Sequence, residues 1–217
     1  MKKSVANRLI GGLGKTIKMP CKSFGLSPTK CKRGSLLQQI ENTVCYVCYA
    51  RQGMYHGSAV KNAHQRRFER LDHPLWNGFM SESIGYYFKF FRWFDAGDIQ
   101  SLKMLDQIID VCERTPAAAH WLPTRETGIL KRYFAAGGRI PTNLTFRISL
   151  DHIDADVTQR PIEGFPISVV SKNTRNEIGV FNCPSDESGE LSCDKHNCRA
   201  CWDKEISVVN YKQQHQK

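Results

Sequence analysis

From residue 87 onward, apolar and polar positions fall into a rhythm of short apolar runs and amphipathic stretches. YFKFFRWF (87–94) is an aromatic run of strand length. SLKMLDQIIDVCERT (101–115) puts Leu102, Leu105, Ile109 and Cys112 along one helical face, with Ser101 placed to cap it. AHWLP (119–123) predicts a second strand, and TGILKRYFAAGG (127–138) a helix that stops at paired glycines. LTFRISL (144–150) alternates, with Leu144, Phe146, Ile148 and Leu150 on one face. ISVVS (167–171) reads as a fourth strand and IGVF (178–181) as a fifth. Upstream, Ser58 to Leu71 predicts a helix capped by Ser58, with an apolar stripe of Ala59, Ala63, Phe68 and Leu71. Its other surface is basic through Lys61, Arg66, Arg67 and Arg70. Residues 21–57 read as a cysteine-bearing loop, and 1–20 give no clear element.

Strands alternating with helices at this spacing imply βαβ units around a parallel sheet. The fold class is therefore α/β. A complete eightfold barrel takes about 250 residues, and in this 217-residue chain the cysteine segments use much of the length. A partial (β/α) barrel with cysteine-rich metal-binding N- and C-terminal segments fits better. The division is 1–57, a basic segment and cysteine loop; 58–182, the barrel core; and 183–217, a four-cysteine segment and tail. In such sheets, working residues gather beyond the C-terminal strand ends. DAGDIQS supplies Asp95, Gly97, Asp98, Gln100 and Ser101; TRE supplies Thr124, Arg125 and Glu126. The third strand brings Arg147, Ser149, Asp151 and His152, and the fourth Ser171, Lys172 and Asn173. Asp95 and Asp98 are the candidate catalytic carboxylates, and Gly97 between them permits close backbone approach to a ligand.

Charge adds a partner. Lys and Arg total 31 against 21 Asp and Glu, a net charge of +10. That balance favours an anionic partner, nucleic acid first, and equally serves solubility. No apolar run reaches the roughly 18 residues of a membrane span, and LIGGLG after the basic start is too short and glycine-rich for a signal peptide. The chain reads as cytoplasmic. GGLGKT (11–16) resembles a phosphate loop only in part, because Leu9 stands where the first glycine is needed.

Cysteine sharpens the picture most. Nine cysteines in a reducing compartment point to metal or catalysis rather than disulfides. Cys112 falls on a helical apolar face and reads as core. The late group, Cys183, Cys193, Cys198 and Cys201, has the spacing C-x9-C-x4-C-x2-C, with Pro184 and Gly189 as turn formers and His196 as an alternative ligand. Four thiolates on loops suit zinc or an iron–sulfur cluster. The early group, Cys21, Cys31, Cys45 and Cys48, is looser, C-x9-C-x13-C-x2-C. A thioredoxin-like pair would need a strand before Cys45, and GSLLQQIENTV does not clearly supply one.

The pieces CYVCYARQGMY, FRWFDAGDIQS, HWLPTRE and LTFRISLD, followed by the cysteine-rich end, resemble the phage gene-product-88-like family, related to the radical S-adenosylmethionine superfamily. The resemblance spans most of residues 21–201. It implies a four-iron four-sulfur cluster at the barrel mouth, held by three cysteines, with one iron left for S-adenosylmethionine. Cys45 and Cys48 are two of the ligands; Cys31, Cys21 or both complete the set. The superfamily spacing is C-x3-C-x2-C, and the first gap here is much longer. Ala96-Gly97-Asp98 corresponds to the methionine-contacting turn, with Arg125, Ser149 and Asp151 as candidates for the rest of the cofactor. Tyr46, Tyr49 and Tyr55 would form the cluster's apolar shell. The late group would hold a second cluster or zinc. The resemblance implies a phage-encoded protein in the host cytoplasm, acting on nucleic acid or a nucleotide.

Two other readings stand beside it. DAGDIQ resembles the D-S-G-G-F-Q turn of tRNA-guanine transglycosylases, which makes Asp95 a catalytic carboxylate and the late cysteines a structural zinc site. The net charge and lysine-containing tail also suit a non-enzymatic, metal-stapled protein that binds nucleic acid or a host component.

Overall fold

The structure, a computed structural model, describes residues 2–187 and 192–213, apart from the side chains of Tyr86, Asp186 and Glu187. Gly189 and the tail from 214 lie outside the described residues. The chain order is α1 (Lys3–Leu9), β1 (Gly14–Lys15), β2 (Lys22–Phe24), α2 (Lys32–Leu37), α3 (Ser58–Arg70), α4 (Trp76–Ile84) and β3 (Phe90–Trp93). Then follow α5 (Leu102–Arg114), β4 (Ala119–Thr124), α6 (Thr127–Ala135), β5 (Leu144–Ile153), β6 (Ile167–Ser171), β7 (Val180–Asn182), α7 (Pro184–Glu187) and β8 (Val208–Lys212). The strands form one eight-stranded sheet in the order β1-β2-β3-β4-β5-β6-β8-β7. Only the β1–β2 pair is antiparallel. The fold is thus mixed α/β with a mostly parallel sheet. β1 and β7 are its two edges, and no closure into a barrel is seen among the described strands.

The period-two patterns place one side chain in two on each face. Phe91 and Trp93, Leu122, and Leu144, Phe146 and Ile148 join the main core. Helix α5 buries Met104, Leu105, Ile108, Ile109, Val111 and Cys112. Cys112, at 0% exposure, is a core residue as its spacing predicts. Ser101 caps α5 by accepting from the Met104 N–H at 3.1 Å. The opposite face carries Phe90, Arg92, Trp121, Thr145 and Arg147. There a second, smaller core forms from Cys21, Trp121, Cys201 and Trp202. Arg147 is wholly buried and staples this face. Its guanidinium donates to the carbonyls of Ile167 (3.1 Å), Ile206 (2.9 Å), Ala200 (3.0 Å) and Asp203 (2.9 Å).

Several expectations shift. Ser58 is the first residue of α3 rather than its cap; Gly57 holds that place. The first predicted strand contracts to Phe90–Trp93, because a 3-10 turn occupies Gly85–Tyr87. The fifth strand begins at Val180, after a turn at Gly179 with φ +82°. Arg67 is not part of a solvated basic face. It is 6% exposed and donates from Nε to Gly12 O at 2.6 Å and from Nη1 to Gly25 O at 3.1 Å. α1, α2, α4, α7, β1, β2 and β8 are not predicted; most are short, and β8 follows the cysteine segment without a periodic lead-in. No helix among the described residues is long and apolar enough to cross a membrane.

Candidate functional site at the strand ends

The loop 31–57 folds down over the C-terminal ends of β3, β4 and β5. Lys32 Nζ donates to Gln100 O at 2.8 Å, beyond β3. The Arg33 N–H donates to Glu126 Oε1 at 2.8 Å, beyond β4. The Arg33 guanidinium reaches Asp151 Oδ2 on β5 at 2.5 Å, and Arg125 Nε lies 3.8 Å from Asp151 Oδ1. Thr43 bridges to His152, and the Val44 N–H donates to Asp151 O at 2.8 Å. Further along, Tyr49 donates its hydroxyl to Asp95 O at 2.5 Å, and Tyr55 to Asp95 Oδ2 at 3.3 Å. Every strand end that the sequence nominates from β3 to β5 is therefore engaged by the cysteine loop.

Cys31, Cys45 and Cys48 are carried on that loop. Gly34 makes room for two of them. A Cβ at Gly34 would stand 2.9 Å from Cys31 Cβ, 3.5 Å from Cys45 Sγ and 3.7 Å from Cys31 Sγ. Burial pushes the Cys31 thiol well up, and Asp98, Cys48 and Cys45 push it further. Burial likewise raises Cys45, opposed by Arg125 and reinforced by Cys48, Asp151 and Asp98. Three thiols thus share one neighbourhood with Asp98, Arg125 and Asp151.

Cys21 does not join them. It directly precedes β2, whose three residues span about 10 Å, while Cys31 comes after the strand's other end, beyond Leu26 and the turn at Pro28–Lys30. Cys21 packs instead with Cys201, Trp121 and Trp202. The late segment reaches it through the Cys193 N–H, which donates to Lys18 O at 2.8 Å. Cys183 is held by its N–H on Asn210 O at 2.9 Å, and Cys201 Sγ lies 3.0 Å from the Tyr211 hydroxyl. Burial first, then Cys183 and Cys193 among other groups, pushes Cys201 up to about 12; Cys193 rises to about 11 for the same leading reason, with Cys183 and Cys198 adding to it. Cys21 also rises to about 12, with Cys193 among the groups that raise it. His196 sits half-buried between Cys193 and Cys198. The cysteines therefore divide three at the strand ends, five behind the sheet and one in the core. Among the described residues, no three His, Cys, Asp or Glu side chains are spaced as ligands of one metal ion.

The two carboxylates of DAGD differ. Asp98 is saturated: Oδ1 accepts from the Ile99 N–H (2.8 Å) and Thr124 Oγ1 (2.6 Å), and Oδ2 from the Arg125 N–H (2.9 Å). Burial pushes it up to about 6 against those hydrogen bonds. It clasps the ends of β3 and β4. Asp95 is 9% exposed, and its buried Oδ1 has no hydrogen-bond partner. Gly97 lies between them at φ +83°, where a Cβ would meet Leu26 Cβ at 2.8 Å. Ser149 pairs with Ser168 Oγ at 3.2 Å on β6. Arg33 and Glu126 are central here. Glu126 is in the TRE turn already singled out, whereas nothing in the spacing marks Arg33.

The fold and site define an α/β protein whose mostly parallel sheet carries a thiol-bearing loop across its strand ends. A family model described as gene product 88 matches residues 2–216, and the chain belongs to that family. No curated protein and no solved structure matches it.

Proposed function

We propose that this chain is an iron–sulfur protein of radical S-adenosylmethionine type, with Cys31, Cys45 and Cys48 as the cluster ligands. The carrying observation is the placement of Cys21 behind the sheet, which leaves three thiols rather than four at the strand ends. Three thiols leave one iron of a four-iron cluster free for an outside ligand. The donor chemistry fits: the thiolates of such a cluster attach to different irons and stand further apart than ligands sharing one ion, and the Gly34 cradle keeps a side chain out from between Cys31 and Cys45. When bound, the cluster supplies a low-potential electron to a sulfonium. The chain's residues do the rest. The loop anchors through Arg33, Thr43 and Tyr49 fix the thiols over the sheet. Asp98 ties the turn after β3 to the end of β4, and Arg125 and Asp151 offer a cation and a carboxylate for the amino-acid end of S-adenosylmethionine. The partial-barrel curvature is part of this proposal, as is a second cluster or zinc held among Cys21, Cys183, Cys193, Cys198 and Cys201. The net charge of +10 supports a nucleic acid or nucleotide substrate.

Anaerobic purification with iron and sulfide analysis tests it. Cys31→Ser, Cys45→Ser and Cys48→Ser should each remove the cluster signal that S-adenosylmethionine perturbs in electron paramagnetic resonance, and Cys21→Ser should keep it. The reduced protein should cleave S-adenosylmethionine to 5′-deoxyadenosine. A colourless, zinc-only protein would sink the proposal. One observation favours a second reading: the buried Oδ1 of Asp95 is a carboxylate oxygen whose hydrogen-bonding capacity is unspent, as the catalytic carboxylate of a transglycosylase-like nucleobase chemistry would be.

A further inference from the structure

The end of the sheet away from the strand-end thiols carries a separate cavity of about 390 Å³ between α1, α4 and the start of β2. That volume lies within the range of small-molecule sites, roughly 300–1,000 Å³. Lys3, Ser4, Asn7, Lys22, Ser83 and Phe88 line it. Its two cations are held without being neutralised. The Lys3 ammonium lies 4.1 Å from the ring centroids of both Tyr87 and Phe88. Burial and the like charge of Lys22 push the Lys3 ammonium below its ordinary value. Among the described residues, neither lysine is paired with a carboxylate.

Of the polar groups around them, Asn7 adds a donor, whereas Ser83 does not. Asn7 Oδ1 is taken by the Leu13 N–H at 2.8 Å, which leaves the Asn7 amide N–H₂ as the free end. Ser83 spends its hydroxyl hydrogen on Phe79 O at 2.7 Å. The cavity thus offers two ammonium groups, an amide donor and the Ser4 hydroxyl, with Phe88 as an apolar wall. We propose that this cavity binds the phosphate group of a small phosphomonoester. The oxygens of a dianion answer the paired ammonium groups and the amide donor, and the space beyond one phosphate accepts its carbon-bearing part.

The test is calorimetric titration of the full chain at fixed ionic strength with inorganic phosphate, a nucleoside 5′-monophosphate, a 5′-phosphorylated dinucleotide and the uncharged nucleoside. Saturable binding of the monophosphate is expected. Lys22→Gln should weaken it about tenfold or more, the loss of one charge-assisted contact. The double change with Lys3→Gln should abolish it. Inorganic phosphate that competes identifies the phosphate as the recognised group. Preference for the monophosphate or the dinucleotide then distinguishes a free nucleotide from a nucleic-acid end. Should Lys3→Gln unfold α1, the Lys22→Gln arm decides alone. No saturable binding, equal binding to Lys22→Gln, or equal binding of the nucleoside overturns the proposal.

Discussion

Replacing Arg147 with Met keeps an unbranched apolar stem and removes all five N–H donors. The structure assigns four of its bonds to backbone carbonyls, three of them in the segment 200–206. A buried acceptor left bare costs about 1–3 kcal/mol, and carbonyls that water can reach cost less. Ile206 O and Asp203 O belong to partly buried bonds and can rehydrate, whereas Ile167 O and Ala200 O are in buried ones. Two uncompensated carbonyls therefore cost ~2–6 kcal/mol. Against this, burial disfavours the guanidinium's charge and holds it below its ordinary value; removing a buried ion returns part of the loss. The net expectation is a destabilisation of about 2–4 kcal/mol. Urea unfolding of wild type and Arg147→Met measures the total, and hydrogen exchange locates it. Exchange should rise first in 198–206, with β4 and β5 unchanged. A loss under about 1 kcal/mol, with protected exchange in that segment, would refute the staple.

Three further outcomes rest on His120, Gly34 and Gly97. His120 is wholly buried, bonded to Thr115 Oγ1 at 2.9 Å, and held down to about 4 by burial. Its folded pKa lies below its unfolded one, so the unfolded chain takes up the proton first; stability should fall by up to ~3 kcal/mol between pH 6.5 and pH 4, and His120→Asn should flatten that part of a pH-dependent melting series. Gly34→Ala would ordinarily strengthen a helix by about 1 kcal/mol; here a Cβ 2.9 Å from Cys31 Cβ should lower the melting temperature instead and speed thiol labelling of Cys31 and Cys45. Gly97→Ala places a side chain at φ +83° against Leu26, and should cost ~1–3 kcal/mol in chemical denaturation.

The strands and helices legible in sequence were those whose period could be counted within one element. β5 alternates over Leu144, Phe146, Ile148 and Leu150, and α5 repeats its apolar residues at helical spacing, so both emerge nearly as read. α4 also carries a countable pattern in Trp76, Met80 and Ile84, but its Gly78 and Ser81 weaken the helical signal. β2 and β8 are strands by virtue of their neighbours. Lys22–Phe24 is three residues long and pairs with β3, which lies more than sixty residues away. That one short strand also hid the division of the cysteines. Spacing along the chain groups Cys21 with Cys31; the strand between them sends the two to opposite ends of the sheet. Asp98 and Asp95 look interchangeable in DAGD, and only the hydrogen bonds from Thr124 and Arg125 show which one is already spent.

The position of β8 governs how the sheet is assembled. β6 and β7 come earlier in the chain, yet neither pairs with the other; each pairs with β8, through Ile167↔Val208 and Val180↔Val208 among others. β8 is the keystone, and β7 has no partner until it arrives. Before that moment β6 shows a raw edge bearing Ile167 and Val169, a template for pairing between molecules. Slow insertion of β8, or loss of the residues from Val208, would therefore leave the sheet with an open edge that recruits copies of itself.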